Sequence, residues 1–225
     1  METLCPVNLS INEIKDVVAK TNGCLVWGGS LELAPADDLF IQVEYPLGID
    51  PMLLPSILSK KKAIGATHVV IDIPTGMGAK IKTRTEAYTL ASDFVDLGKR
   101  LGLNIQCALT FGEQPLGCGI GPALEAREAL TTLMGGGPPD LREKAVSLSS
   151  MLLEMVGVEN SRGIAEDMLD SGKAMKKMRE IIAAQGGNPA VKPEDLPIGP
   201  ESTVVRSEQA GKVLWLSTDD IADCA

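Results

Sequence analysis

Two spacings of apolar residues alternate along the middle of the chain. Residues 68–73, HVVIDI, form a nearly continuous apolar run, which is typical of a strand buried on both faces in a parallel sheet. Residues 104–110 repeat this strand pattern. Between them, residues 84–101 place apolar side chains at helical spacing: Ala87, Leu90, Ala91, Phe94, Leu97 and Leu101. This order predicts an α/β fold with a mainly parallel sheet flanked by helices.

The same patterns predict helices on both sides of this unit. A capping box formed by Ser10 and Glu13 begins the first helix, and Gly23 ends it in the left-handed conformation. Asp50 and Pro51 fit the N-cap and the first position of a second helix, which carries an apolar face and ends at about residue 65. Later helices are expected at 122–134, 140–156, 161–171 and 172–185.

Shorter segments predict strands and connections. Residues 24–27 and 39–45 have strand-like patterns, the second ended by a proline. Residues 188–202 are rich in proline and predict a linker over the surface, and 203–225 predict the start of a truncated β-rich domain with strands at 203–206 and 211–216. Because the chain begins without a first element and stops as a helix begins, we expect a fragment of a longer protein.

The composition narrows the function classes. Hydrophobic residues make up 44% of the 225 residues and aromatic residues only 3%, so an aliphatic core is expected. The net charge of −9 argues against a nucleic-acid surface, but not against a local pocket for a small anion. We see no signal peptide and no apolar run near the roughly 18 residues of a membrane span. The five cysteines are scattered. We expect a cytoplasmic protein with free thiols, no metal and no cofactor.

Polar residues within the otherwise apolar stretch 46–80 are the candidates for chemistry. Lys80 closes the loop PTGMGAK after the first buried strand, where parallel sheets bind ligands, and its charge suits a phosphate. Ser56 and Lys60 share the preceding helix, although Lys60 belongs to a lysine triplet that could simply be a solvated face. Asp50 is either a helix N-cap or a general acid that protonates a leaving base.

Other motifs give weaker signals. The loop and helix start at 119–128, GIGPALEARE, follow a strand as anion-binding loops do, but they lack the GxGxxG pattern, and close packing of the glycines is favoured. His68 is the only histidine and is expected to be structural. The sequence shows no Ser-His-Asp or Cys-His arrangement, which disfavours a hydrolase with a covalent nucleophile.

Several longer runs resemble a known family. The runs LVWGGSLELAPADD, PLGIDP, SILSKKKAIGATHVVIDIPTGMGAK, QPLGCGIGPALEAREAL and LLEMVG are similar to the pyrimidine-nucleoside phosphorylase superfamily, and within it to the archaeal AMP phosphorylases. The resemblance covers essentially the whole chain. It implies phosphorolysis of AMP to adenine and ribose 1,5-bisphosphate, with AMP and inorganic phosphate as small-molecule substrates.

The resemblance also implies a domain organisation. Residues 1–36 and 65–187 match a large α/β domain, and 37–64 match a helical segment inserted into a small α domain, with the active site in the cleft between them. The family's phosphate-binding stretch falls before Met1, so the chain alone is expected to be inactive. The complete protein is expected to be a homo-oligomer with no nucleic-acid or membrane partner.

The resemblance assigns roles to the four candidates. Asp50 of GIDP matches the proton donor to the leaving purine. Ser56 of SILSKK and Lys80 of PTGMGAK match nucleotide-binding positions, and Lys60 matches a lysine that contacts the base in thymidine-specific relatives. The separation of Asp50 from Ser56 is shorter than is usual in the family.

The base preference rests on one departure from the thymidine-specific relatives. Those relatives carry an Arg–Asp pair near the positions that Ile41 and Gln42 occupy here, which favours a purine nucleotide. The alternatives are a thymidine or pyrimidine-nucleoside phosphorylase, and a non-catalytic half that complements a separate N-terminal chain.

Overall fold

The predicted alternation of strand and helix in the middle of the chain is confirmed. The computed structural model describes residues 1–28, 35–47 and 52–224. Its elements follow the chain in this order: α1 (Ile11–Thr21), α2 (Pro35–Leu47), α3 (Leu53–Ala63), β1 (His68–Thr75), α4 (Arg84–Leu101), β2 (Asn104–Phe111), α5 (Pro122–Leu133), α6 (Pro139–Met155), α7 (Ser161–Asp170), α8 (Lys173–Ala184) and α9 (Thr218–Cys224).

A parallel pair of strands forms the centre of the fold. β1 and β2 pair in register from His68 opposite Asn104 to Thr75 opposite Phe111. The predicted inward face of α4 packs against this pair together with α3, and Leu58 and Phe94 are almost fully buried there. Because the strands are parallel, both carboxyl ends open at the same edge, and the loops that follow them lie side by side.

Capping residues set several helix ends. The Ser10–Glu13 box at α1 is confirmed, and α4 has an equivalent box and ends at Gly102. The prediction for Gly23 is wrong, because Asn22 holds the left-handed position with a φ of 58°. Asparagine is one of the few residues that tolerate this conformation, since its short polar side chain can bond locally.

α3 begins later than predicted. Met52 stands at its N-cap, and Asp50 and Pro51, the predicted N-cap and first position, lie outside the described residues. Pro55 falls in the first turn, where its missing N–H has no intrahelical partner to lose.

The predicted strand at 39–45 is wrong, because these residues belong to α2. Leu39, Val43 and Leu47 recur every fourth residue and form a helical stripe, which the polar alternation of the segment conceals. Pro46 does not prevent the helix, because it lies one residue from the helix end and removes only one hydrogen bond there.

The predicted strand at 24–27 is also wrong. The segment has no regular structure and is held by a backbone hydrogen bond, from Trp27 N to Val7 O at 2.9 Å, and by the side chain of Gln185. The side-chain amide of Gln185 is buried. Its Oε1 accepts a hydrogen bond from Leu25 N at 2.8 Å, and its Nε2 donates one to Leu25 O at 2.9 Å. A side chain therefore replaces the partner strand that the pattern predicted.

The proline-rich segment differs from the prediction in its first half. Val191 and Leu196 are buried in a core cluster with α5 and α8, so this part of 188–202 is packed rather than a surface linker. Further on, the predicted strands at 203–206 and 211–216 are absent from the described residues. Val205 and Leu214 are more than nine-tenths exposed there. Strand-forming residues need a neighbouring strand to pair with, and the described residues offer none.

Candidate functional site

A cavity of about 380 Å³ lies at the carboxyl ends of β1 and β2. Its apolar lining comes from α3, from α4 and from the strands, including Leu53, Ile57, Ile71, Ile73, Leu90, Phe94 and Phe111. Its polar side chains are Asp72, Lys80, Gln114, Lys144 and Thr218. An apolar cavity with a few converging polar groups at this edge of a parallel sheet is the usual form of a small-ligand site.

Lys80 is the one of the four predicted candidates that the described structure places in the cavity lining. The loop that carries it folds back on β1, with Gly76 N donating to Ile81 O at 2.9 Å and Ala79 N donating to Gly76 O at 3.0 Å. This short closed turn holds Lys80 beside the strand end.

The glycines of this loop allow contact with the loop after β2. A methyl group on Gly76 would lie 2.7 Å from the Glu113 carboxyl carbon, and one on Gly112 would lie 2.8 Å from the Ala79 Cβ. Glu113 Oε2 also accepts a hydrogen bond from Met77 N at 3.0 Å. The structure therefore uses Gly76 for packing between the two loops.

A polar cluster in the cavity wall was missed by sequence reasoning. The Asp72 carboxylate pairs with Lys144 of α6 at 2.5 Å and accepts a hydrogen bond from the Thr110 hydroxyl at 2.6 Å. Lys144 also donates to Thr110 Oγ1 at 3.2 Å. The signal was a charged residue inside the apolar run VVIDI, since an acid in a buried strand needs a partner.

Ser56 and Lys60 lie outside this cavity, on another side of α3. Lys60 Nζ is 2.7 Å from Asp37 Oδ2, and the Ser56 side chain also hydrogen-bonds the Asp37 carboxylate. Burial raises the pKa of Asp37, but the bonds from Lys60 and Ser56 and the Lys60 charge outweigh it, so the pKa falls below its ordinary value.

The rest of the lysine triplet does not reach the cavity lining either, as far as the structure describes it. Lys62 Nζ donates to Leu101 O at 2.7 Å and so joins α3 to the end of α4. Lys60 and Lys62 therefore contact neighbouring elements rather than the cavity. The predicted acid Asp50 lies outside the described residues.

The glycine-rich loop after β2 is closed by carboxylates of its own chain. Glu128 accepts hydrogen bonds from Cys118 N and Gly119 N at 3.0 and 3.1 Å, and Asp140 accepts one from Gly117 N at 3.0 Å. Glu125 Oε1 accepts a hydrogen bond from Gly121 N at 3.0 Å. These N–H groups are therefore not available to an external anion, in agreement with the favoured interpretation of a packed loop.

The thiols and the histidine have local roles. Burial raises the pKa of the Cys107 thiol, which keeps it protonated, and it donates weakly to Ala91 O at 3.7 Å. His68 Nδ1 lies 3.0 Å from the Thr67 hydroxyl. In the described ranges no cluster of three or more His, Cys, Asp or Glu could hold a metal ion. Those ranges also contain no helix with the length and apolar character to cross a bilayer.

The fold is that of an α/β protein with a cavity of small-ligand size at its strand ends. Comparison with known proteins is more specific, although no family model matches. The AMP phosphorylase of Thermofilum pendens is 55% identical over 223 residues, which is 99% of this chain and 44% of that protein. Those of Pyrococcus horikoshii and Natronomonas pharaonis are 54% and 44% identical and match 100% of this chain and 46% of their own lengths.

The chain thus spans about half the length of the curated relatives it matches. The predicted resemblance to the archaeal AMP phosphorylases is confirmed over the whole of this chain.

Proposed function

We propose that this chain forms the nucleotide-binding part of a phosphorylase that converts AMP and phosphate into adenine and ribose 1,5-bisphosphate. The position of Lys80 is the observation that carries the proposal. Lys80 lines the strand-end cavity in a chain that is 55% identical, over almost its whole length, to an AMP phosphorylase. A lysine ammonium is a compact positive charge that binds phosphate.

The proposed reaction displaces the base at C1′ of the ribose. An oxygen of inorganic phosphate bonds to C1′ while the bond from C1′ to the adenine nitrogen breaks, and that bonding pair leaves with the base. Adenine then takes up a proton. Positive charge develops on the sugar, so catalysis depends mainly on positioning the two phosphates and on protonating the leaving base. The reaction needs no cofactor.

The four candidate residues divide this work in the proposal. Asp50 protonates the leaving adenine, and Ser56, Lys60 and Lys80 bind the nucleotide. Since Ser56 and Lys60 bind Asp37 in this structure, the substrate would have to replace Asp37 as their partner. We further propose that the complete protein is a cytoplasmic homo-oligomer.

The reaction is testable in a chimaera in which this chain replaces the matching half of the Thermofilum pendens relative. Adenine release, followed by chromatography, should require both AMP and phosphate. Asp50→Asn should lower kcat by about 100-fold, the usual contribution of a general acid. Lys80→Ala should mainly raise KM for AMP.

Controls accompany the chimaera. Lys212→Ala changes an exposed lysine of the tail and should leave both constants unchanged. A panel of AMP, CMP, UMP and thymidine tests the base. Faster turnover of thymidine than of AMP would favour the pyrimidine alternative, and a folded chimaera without phosphorolysis would overturn the proposal.

A further inference from the structure

The long side of β1 that faces away from β2, called here the outer edge of β1, has no paired strand among the described residues. Asn104 N donates to Thr67 O at 2.9 Å, and this bond fixes which residues of the parallel ladder face each other. The N–H and C=O groups of Val70 and Asp72 therefore point away from β2. Neither N–H group donates a hydrogen bond to a residue that the structure describes. The outer edge of β1 is thus open to a further strand.

The strand-end cavity extends along this outer edge. Consecutive residues of β1, from Ile71 to Pro74, all line it. Side chains of consecutive strand residues point to opposite faces of a sheet, so a cavity that meets all of them lies beside the strand and not over one face. The empty space therefore begins where the next strand of the sheet would lie.

Helices cover this space on both faces of the sheet. Ile71 and Ile73 pack with Phe94 of α4 on one face, whereas Asp72, which lies between them in the strand, pairs with Lys144 of α6 on the other. Both Phe94 and Lys144 also line the cavity. Strands of parallel sheets are normally covered on both faces, and these two helices offer that cover to a third strand.

The free edge of β2 has different surroundings. The cavity beside it, of about 610 Å³, is lined by residues of α6 but by none of α4. A strand added there would lack a helix on one of its faces. The outer edge of β1 is therefore the better place for an additional strand.

The relatives contain enough additional chain to supply such a strand. More than half of each relative lies outside the region that this chain matches, since the match covers 44% and 46% of their lengths. A second copy of this chain fits the edge less well. If two β1 edges paired around a two-fold axis, the helices that cover the space in each copy would compete for the same volume.

We propose that the outer edge of β1 is an interaction surface for a mainly apolar β-strand, supplied by a polypeptide that corresponds to the part of the relatives this chain does not match. The strand forms backbone hydrogen bonds with Val70 and Asp72. It runs parallel to β1, as is usual in sheets with helices on both faces, so its carboxyl end lies beside Lys80. It fills the part of the cavity beside Ile71 and leaves the part at Lys80 open. This inference goes beyond the proposed function, because it does not depend on the substrate.

Hydrogen exchange, resolved to single amides by mass spectrometry, tests the proposal. It compares the 225-residue chain with the chimaera in which this chain replaces the matching half of the Thermofilum pendens relative. The amides of Val70 and Asp72 should exchange freely in the chain alone and about 100-fold more slowly in the chimaera, because there they donate to the added strand. The amides of Ile71 and Ile73 face β2 and should be protected in both proteins.

A proline on each free edge separates the two sides of the sheet. Val70→Pro removes an N–H group that points outward, so no hydrogen bond to β2 is lost. It should lower the melting temperature of the chimaera by about 5 °C more than that of the chain alone. Cys107→Pro is the matched control on the free edge of β2 and should lower the two melting temperatures equally.

Three results would overturn the inference. The first is equal exchange of the Val70 and Asp72 amides in the chain and in a folded chimaera. The second is slow exchange of both amides in a 225-residue chain that light scattering shows to be a dimer, since a second copy would then cover the edge. The third is a larger difference for Cys107→Pro than for Val70→Pro, which would put the added strand beside β2. A chimaera that protects the β1 amides but does not phosphorolyse AMP would overturn the proposed function alone.

Discussion

The loops that follow β1 and β2 share a high glycine content but differ in their surroundings. Both are rich in glycine and leave the same edge of a parallel sheet, where backbone N–H groups often bind anions. The loop after β1 brings Lys80 to an open cavity. In the loop after β2, the carboxylates of Glu128, Glu125 and Asp140 already accept hydrogen bonds from the backbone N–H groups.

This difference shows that a glycine-rich loop can bind an anion only where its backbone N–H groups do not already donate hydrogen bonds to a carboxylate of the chain. Even the loop after β1 gives one donor, Met77 N, to Glu113. A basic side chain that lines a cavity is therefore a better indicator of a ligand site here than the glycines themselves.

The largest expected effect comes from Gly76, where the two loops touch. Gly76 has a φ of 146°, and a methyl group on it would lie 2.9 Å from Glu113 N, a backbone atom that cannot easily move. Gly76→Ala should therefore lower the free energy of unfolding by about 3 kcal/mol. Urea denaturation measures this change.

A matched control uses a glycine without these constraints. Gly199 has nothing within 4 Å of its Cβ position and no positive φ, so Gly199→Ala should not lower stability. Equal stability of the Gly76 and Gly199 variants would contradict the close contact between the loops.

Much of the region around these loops follows from local sequence signals. β1, α4 and β2 were predictable because a continuous apolar run and a helical stripe need only neighbouring residues to be recognised. The position of Lys80 followed from them, since the loop after a parallel strand opens at a defined edge.

The remaining features depend on contacts between distant residues. The pair of Asp72 with Lys144 and the position of Thr218 over Gly78 each join separate elements, and no local pattern encodes such pairs. The pairing of Asp37 with Lys60 was missed because residues 39–45 of the helix that carries Asp37 were predicted as a strand.

A smaller effect is expected from opening the second loop. Glu128→Ala removes the acceptor of Cys118 N and Gly119 N and should cost about 2 kcal/mol of unfolding free energy, because two backbone donors lose their partner. Glu128→Gln keeps an acceptor oxygen and should cost less. The control is Glu159→Ala, at an exposed position. If Glu128→Ala were as stable as this control, the Glu128 carboxylate would not be holding the loop.

The smallest effect concerns Asp37, whose carboxylate pairs with Lys60 and accepts a hydrogen bond from Ser56. A carboxyl group with a lowered pKa in the folded state stabilises the protein above its ordinary pKa, and this contribution is lost as the pH falls through the lowered value. Asp37→Asn should therefore cost about 1 kcal/mol at pH 7, and the difference from the parent chain should shrink below the ordinary value of 3.8.

Urea denaturation of both proteins between pH 7 and pH 3 measures this difference. Asp93→Asn, at an exposed position of α4, should show little difference from the parent chain at any of these pH values. A difference between Asp37→Asn and the parent chain that grows as the pH falls would contradict the sign of the shift. It would mean that Asp37 does not neutralise Lys60 in the folded chain.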